Sequence, residues 1–148
     1  MIELKQERLL CLLAFAATSA CTYMYVTFGS CDKIGLPGAG LFVKSPVGVA
    51  KKYPIHNDPS EIMVGMAWIM SFLSNQLSCL YLLVIQRQCE LFPPVFYLCW
   101  VAGGVLSLTW TYTYSQEMHL ASAIIVGSVY VLAPFQLAVG VKYFTENH

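Results

Sequence analysis

Charge is what this sequence has least of. Asp, Glu, Lys and Arg make up 11% of its 148 residues, eight acidic against eight basic, for a formal net charge of +0. Without a basic field nothing holds a phosphate backbone, which excludes nucleic-acid binding. Histidine is scarce too, and His56, His119 and His148 all fall outside the long apolar blocks. A haem held within a bilayer needs an axial ligand, so none is expected. The same blocks hold no Asp, Glu or Arg, and a proton pathway through the chain would need such groups. No H-E-x-x-H occurs, and Cys11, Cys21, Cys31, Cys79, Cys89 and Cys99 form no C-x-x-C pair. No metal and no cofactor are therefore expected. The segment Met1–Arg8 mixes Glu3 and Glu7 with Lys5 and Arg8, which suits no secretory leader, so the first helix is expected to stay.

What is present is apolar surface. Hydrophobic residues reach 57% with a mean hydropathy of +0.63, too much to hide inside a water-soluble domain of this size. They gather into blocks of about 20 residues, the length that crosses a hydrocarbon core roughly 30 Å thick. Backbone groups in lipid must be satisfied within the segment, so each block is a helix. The expectation is one all-α domain, a polytopic integral membrane protein with four transmembrane helices at about Leu9–Phe28, Ile62–Ile85, Val95–Tyr114 and Leu120–Phe144. Residues 29–61 form a long loop, and the short link Ser115–His119 makes the last two helices a hairpin. Asp58-Pro59-Ser60-Glu61 reads as a capping box for the second span.

Four crossings place both termini and the link 86–94 on one side, here side A, and the long loop with the hairpin turn on side B. Lys5, Arg8, Arg87 and Lys142 on side A balance Lys33, Lys44, Lys51 and Lys52 on side B, so the basic residues set no orientation. Cys31 and Cys89 then lie beyond opposite faces, and no disulfide framework is expected; the other four cysteines read as small packing residues.

Within the spans, Cys99, Gly103, Ser107 and Thr111 recur every four positions, a groove that admits another backbone. Ala14, Thr18 and Thr22 offer a similar seam on the first span, and Ala123 and Gly127 on the fourth. Ser71, Ser74, Asn75 and Ser78 share one face of the second span with Gln76 beside them, and amides near mid-membrane need partners on a neighbouring helix or a bound polar group. Pro134 removes a donor inside the fourth span and frees the carbonyl of Tyr130, which Gln136, Thr18 or Ser107 is expected to help satisfy.

On side B, His56, Asp58, Glu61, Glu117 and His119 come from two loops to the same interface and are the candidate acid/base or metal-binding cluster. The loop also holds an apolar strip, Leu41-Phe42-Val43 with Val47 and Val49, expected to lie against another protein or to form a lid. Tyr23, Tyr25 and Phe28, Trp110, Tyr112 and Tyr114, and Tyr143 and Phe144 close three spans and read as an interfacial belt.

Known small four-helix families are excluded on residues. The arginine-rich sites of MAPEG enzymes and the C-x-x-C of vitamin K epoxide reductases are missing, and the loop lacks the tryptophan of a claudin signature. The functional expectation is a non-catalytic accessory subunit of a larger membrane complex, in the energy-transducing mitochondrial inner membrane ahead of the endoplasmic reticulum. Its partners would be membrane lipids and other membrane subunits. The alternative is a small membrane enzyme or binding protein for a lipid, sterol or other apolar substrate.

Overall fold

A computed structural model describes residues 6–31, 35–53, 61–84 and 92–147, apart from the side chains of 61–64 and 147. It is helical throughout, with no strand among the described residues: α1 Gln6–Ser30, a 3-10 turn Ala39–Leu41, α2 Pro46–Lys52, α3 Glu61–Val84, α4 Pro94–Ser115 and α5 His119–Asn147. Helices α1, α3, α4 and α5 are long and apolar enough to cross a membrane. They overrun the expected spans by up to three residues, while Ile85, Asp58 and the link 86–91 lie outside the described residues. The long loop is less loop-like than expected, because the 3-10 turn and α2 fall within it. Ser45 starts α2 by accepting the Gly48 N–H at 3.1 Å, with Pro46 in the first turn.

α1 is the helix the others pack around. Its buried residues Cys11, Ala14, Thr18, Cys21, Tyr25 and Phe28 recur at alternating steps of three and four, so they form one continuous stripe. α3 packs against α1, α4 packs against α1, and α5 packs against α4. The tightest approach is between α1 and α4, where a Cβ added at Gly104 would meet the Ala17 Cβ at 2.8 Å. The Cys21 thiol donates to the Gly104 carbonyl at 3.2 Å across the same crossing. Of the expected small-residue stripe on this helix Cys99 and Thr111 are buried, but the closest approach falls one position past Gly103. A row of every-fourth residues drifts around a helix of 3.6 residues per turn, and Gly103 faces Leu132 of α5, at 3.8 Å from an added Cβ.

The hairpin between α4 and α5 closes through a Schellman turn: Met118 N–H donates to Thr113 O and Glu117 N–H to Tyr114 O. Glu117 occupies the left-handed position at φ 60, where glycine is the usual choice. At the other end of the hairpin, Gly140 lies against the stacked rings of Phe92 and Phe96, whose centroids are 4.2 Å apart.

Two expectations need correction here. Tyr25 and Phe28 are buried, and with Phe42 and Phe72 they form an aromatic plug flanked by Trp68, Trp110 and Tyr114, so these residues seal the side-B end of the bundle instead of facing a membrane interface. Tyr23 and Tyr112 do remain exposed. The apolar strip of the loop is likewise divided, because Phe42 and Val49 are buried in this chain's own core whereas Leu41 and Val43 are exposed. Its order comes from the bundle itself.

The crossing at Gly104 gives a direct test. Gly104→Ala is expected to destabilise the bundle by about 1–3 kcal/mol of overpacking, less about 1 kcal/mol gained from helix propensity. Gly103→Ala, with room for a methyl group, should be neutral or stabilising. Unfolding by denaturing detergent in mixed micelles reads both, and equal effects would contradict the assigned crossing.

Candidate functional site

The side-B cluster comes together only in part. His56 and Asp58 lie outside the described residues, and Glu61 opens α3 with its side chain likewise outside them. Glu117 and His119 do meet, through Tyr53, whose ring stands edge-on to the His119 ring at 4.6 Å and whose hydroxyl donates to Glu117 Oε2 at 3.2 Å. Each Glu117 oxygen also accepts from a lysine, Oε1 from Lys44 and Oε2 from Lys52. These hydrogen bonds, Lys44's first and Lys52's second, hold the Glu117 carboxyl down at about 2, and the same carboxylate holds the Lys52 ammonium above its ordinary value. A carboxylate so easily ionised is a poor proton acceptor near neutral pH. Its role is to clasp: with Gln116 Nε2 donating to Leu41 O at 3.1 Å and the Tyr23 hydroxyl donating to Pro37 O at 2.7 Å, it fastens segment 35–53 across α1 and the hairpin turn. Among the described residues, no group of three or more His, Cys, Asp or Glu is placed to hold a metal.

The second candidate place lies within the bundle of long apolar helices. A cavity of about 210 Å³ is bounded by all four long helices. Its inner wall is Thr18 and Cys21 of α1 with Cys99 and Gly104 of α4, all buried. Trp68, Phe72 and Trp100 give it aromatic sides. The exposed residues of the lining, Ser71 on α3 and Ala133 on α5, mark its mouth between those two helices.

Depth follows from helix rise. Counted from the side-B end of its own helix at about 1.5 Å per residue, Asn75 lies roughly 21 Å in, Trp100 roughly 22 Å and Gln136 roughly 25 Å. The three amide and indole groups therefore share one level inside the helices, nearer side A, with Trp100 roughly 9 Å from the side-A end of α4. The mouth opens towards acyl chains.

Most polar side chains around the cavity and along its helices are already matched. Trp100 Nε1 donates to Asn75 Oδ1 at 3.0 Å, and Asn75 Nδ2 donates to Ser71 O at 2.9 Å. This is the neighbouring-helix partner that the amide requires. The hydroxyls of Ser74, Ser78, Ser107, Thr18 and Thr111 donate to carbonyls three or four residues back on their own helices. Neither Thr18 nor Ser107 thus reaches Tyr130, and α5 runs on as helix through Pro134. Two amides are left over: Gln136, lining the cavity, and Gln76, outside it on α3, make no hydrogen bond to another described residue.

Comparison with known protein families, with curated proteins and with solved structures finds no match. The reading therefore rests on the cavity's own chemistry. Sequence reasoning singled out Asn75 from the polar face it shares with Ser71, Ser74 and Ser78 near the centre of its span, but it assigned Gln136 to the proline. The signal that could have placed it was depth, since Gln136 and Asn75 fall at matching distances from side B.

The clasp carries a pH dependence with a definite sign. A carboxyl depressed from 4.5 to about 2 in the folded chain stabilises it above pH 4.5, and that contribution is lost as pH falls towards 2. The gap in thermal stability between the native chain and Glu117→Gln, measured in detergent, should be constant above pH 4.5 and close below it. Tryptic cleavage after Lys44, Lys51 and Lys52 should also be faster in the variant at neutral pH.

Proposed function

We propose that this chain is an integral membrane protein that binds an apolar small molecule carrying a hydrogen-bonding group, in the cavity between α3 and α5. The observation that carries this reading is Gln136, an amide without a hydrogen-bond partner among the described residues, which lines a cavity enclosed by the four long helices. Leaving such a group unmatched in an apolar medium costs roughly 1–3 kcal/mol, and leucine at the same place would cost nothing. A bound polar group gives the glutamine a reason to be there. The surrounding surface supports the same conclusion, since a concave, mostly apolar wall with a few convergent polar groups is the usual form of a small-molecule site.

The reading makes Gln136→Leu informative in two directions. In the ligand-free protein the substitution should stabilise, by about 1 kcal/mol, while photolabelling in nanodiscs by an apolar diazirine probe that carries a hydrogen-bonding group falls. In the native chain that labelling should saturate and map to α3, α4 and α5 around Ser71, Gly103 and Ala133. Ala133→Trp, which fills the mouth, should abolish it. Unsaturable labelling spread over the outer faces of all four helices would remove the proposal.

A specific observation favours a second reading, the accessory subunit. Gln76 is one residue from Asn75 and so about 100° around α3, off the cavity, where its unmatched amide can meet a neighbouring subunit. Ser71, Ser74 and Ser78 on the exposed side of α3 are small enough to let another helix approach. The setting we put forward for that role is an energy-transducing complex of the mitochondrial inner membrane. Migration of the native particle in mild detergent tests it: a larger assembly supports the subunit role, and a particle containing this chain alone removes it.

A further inference from the structure

The cavity's hydrogen-bonding pattern narrows its ligand, on the premise of the binding role just put forward. We propose that the ligand is a neutral lipid alcohol, a single hydroxyl on a sterol-like or long-chain apolar body, which enters sideways from the hydrocarbon through the mouth between Ser71 and Ala133 and pairs its hydroxyl with Gln136.

Charge is decided by the lining. Apart from the thiols of Cys21 and Cys99 it holds no ionisable side chain. An anionic or cationic head group brought to this depth would lose its water and meet no counter-ion, a penalty of several kcal/mol per ion. Lys44 and Lys52 are at the side-B surface and already paired with Glu117, and Lys142 lies towards the opposite end of α5 beside Glu146 at 3.9 Å. The ligand is uncharged.

The type of polar group follows from what is left unmatched. Gln136 offers two donors and a carbonyl acceptor. Ser107 and Thr18 have committed their protons to backbone carbonyls, at 2.8 Å and 3.0 Å, so towards the cavity they can only accept. A ketone, ester or ether on the ligand would accept from the Gln136 amide and leave its carbonyl without a donor. A hydroxyl both donates and accepts, and so matches the amide at both ends. Pairing also repays the water that each group must give up at this depth.

Size and access agree with this class. Drug-sized ligands usually occupy about 300–1,000 Å³, so a cavity near 210 Å³ takes the hydroxyl end and the first ring or few methylenes. The rest of the molecule trails through the mouth into lipid. Trp68 and Trp100 provide flat walls for that first portion.

The test uses the full chain in nanodiscs with photoreactive probes sharing one alkyl body: an alcohol, its methyl ether, an alkyl sulfate and an alkyl trimethylammonium, with a sterol alcohol as a separate arm. The proposal expects saturable labelling by an alcohol, at least about tenfold tighter than by the ether, and weaker labelling still by both ions. The sterol and long-chain arms then separate the two sources of the hydroxyl. In Gln136→Leu the ether should still label while the preference for alcohol over ether vanishes, a result that a misfolded variant cannot give. Equal labelling by alcohol and ether in the native chain, or tighter labelling by either ion, would overturn the alcohol assignment while leaving a binding cleft. Failure of every probe to saturate would overturn the binding role beneath it.

Discussion

Lipid offers no hydrogen bonds, and this one constraint organises the four long helices. Every polar side chain placed in them must find its partner within protein or on something bound. The hydroxyls meet it cheaply by folding back on their own helices, as Thr22 does on Thr18 O and Ser128 on Ile124 O. Asn75 cannot, because an amide has more valences than one carbonyl can fill, and its second partner is the Trp100 indole on another helix. That bond joins α3 to α4, which otherwise meet chiefly by packing against the same helix, α1. Gln136 and Gln76 are what remain after this sorting, one turned to a cavity and the other away from it.

The same account explains why the bundle is open on one side. α1 can hold two helices closely because its stripe is built of small side chains at the level of the crossing, Ala14, Ala17, Thr18 and Cys21, and because Gly104 removes the last obstacle on α4. α3 and α5 attach to the two ends of this pair, and aromatic bulk at Trp68, Phe72 and Trp100 keeps the space between them from closing. At side B the bundle is sealed by Phe42 packed on Phe28, and the seal is fastened by the ion pairs to Glu117. Glutamate in a left-handed turn position is strained relative to glycine. Its carboxylate, gripped by two lysines and a tyrosine, explains why glutamate stands there.

The type and number of the long helices were legible because unbroken apolar blocks and the absence of charge both act over 20 residues at a time. Finer features depended on contacts between distant segments. Nothing local to Phe28 or Tyr25 distinguishes a buried aromatic from an interfacial one; that depends on Phe42, fourteen residues past Phe28, folding back over the bundle end. The lysine partners of Glu117 are similarly 65 and 73 residues away. α2 was missed because seven residues are too few to show helical periodicity, although Ser45-Pro46 is a readable start. The candidate cluster of histidines and carboxylates joined residues by side of membrane alone, whereas Gln136 required depth as well.

Depth is also where the account is most exposed. The chain has three tryptophans, and replacing Trp68 and Trp110 by phenylalanine leaves Trp100 as the sole emitter, at the level of the cavity. In liposomes its fluorescence should be quenched efficiently by lipids brominated along their acyl chains, and hardly at all by aqueous iodide. Efficient quenching by iodide, with little effect from acyl-chain bromines, would mean that α4 does not bury this level in the bilayer and that no cleft opens there to lipid.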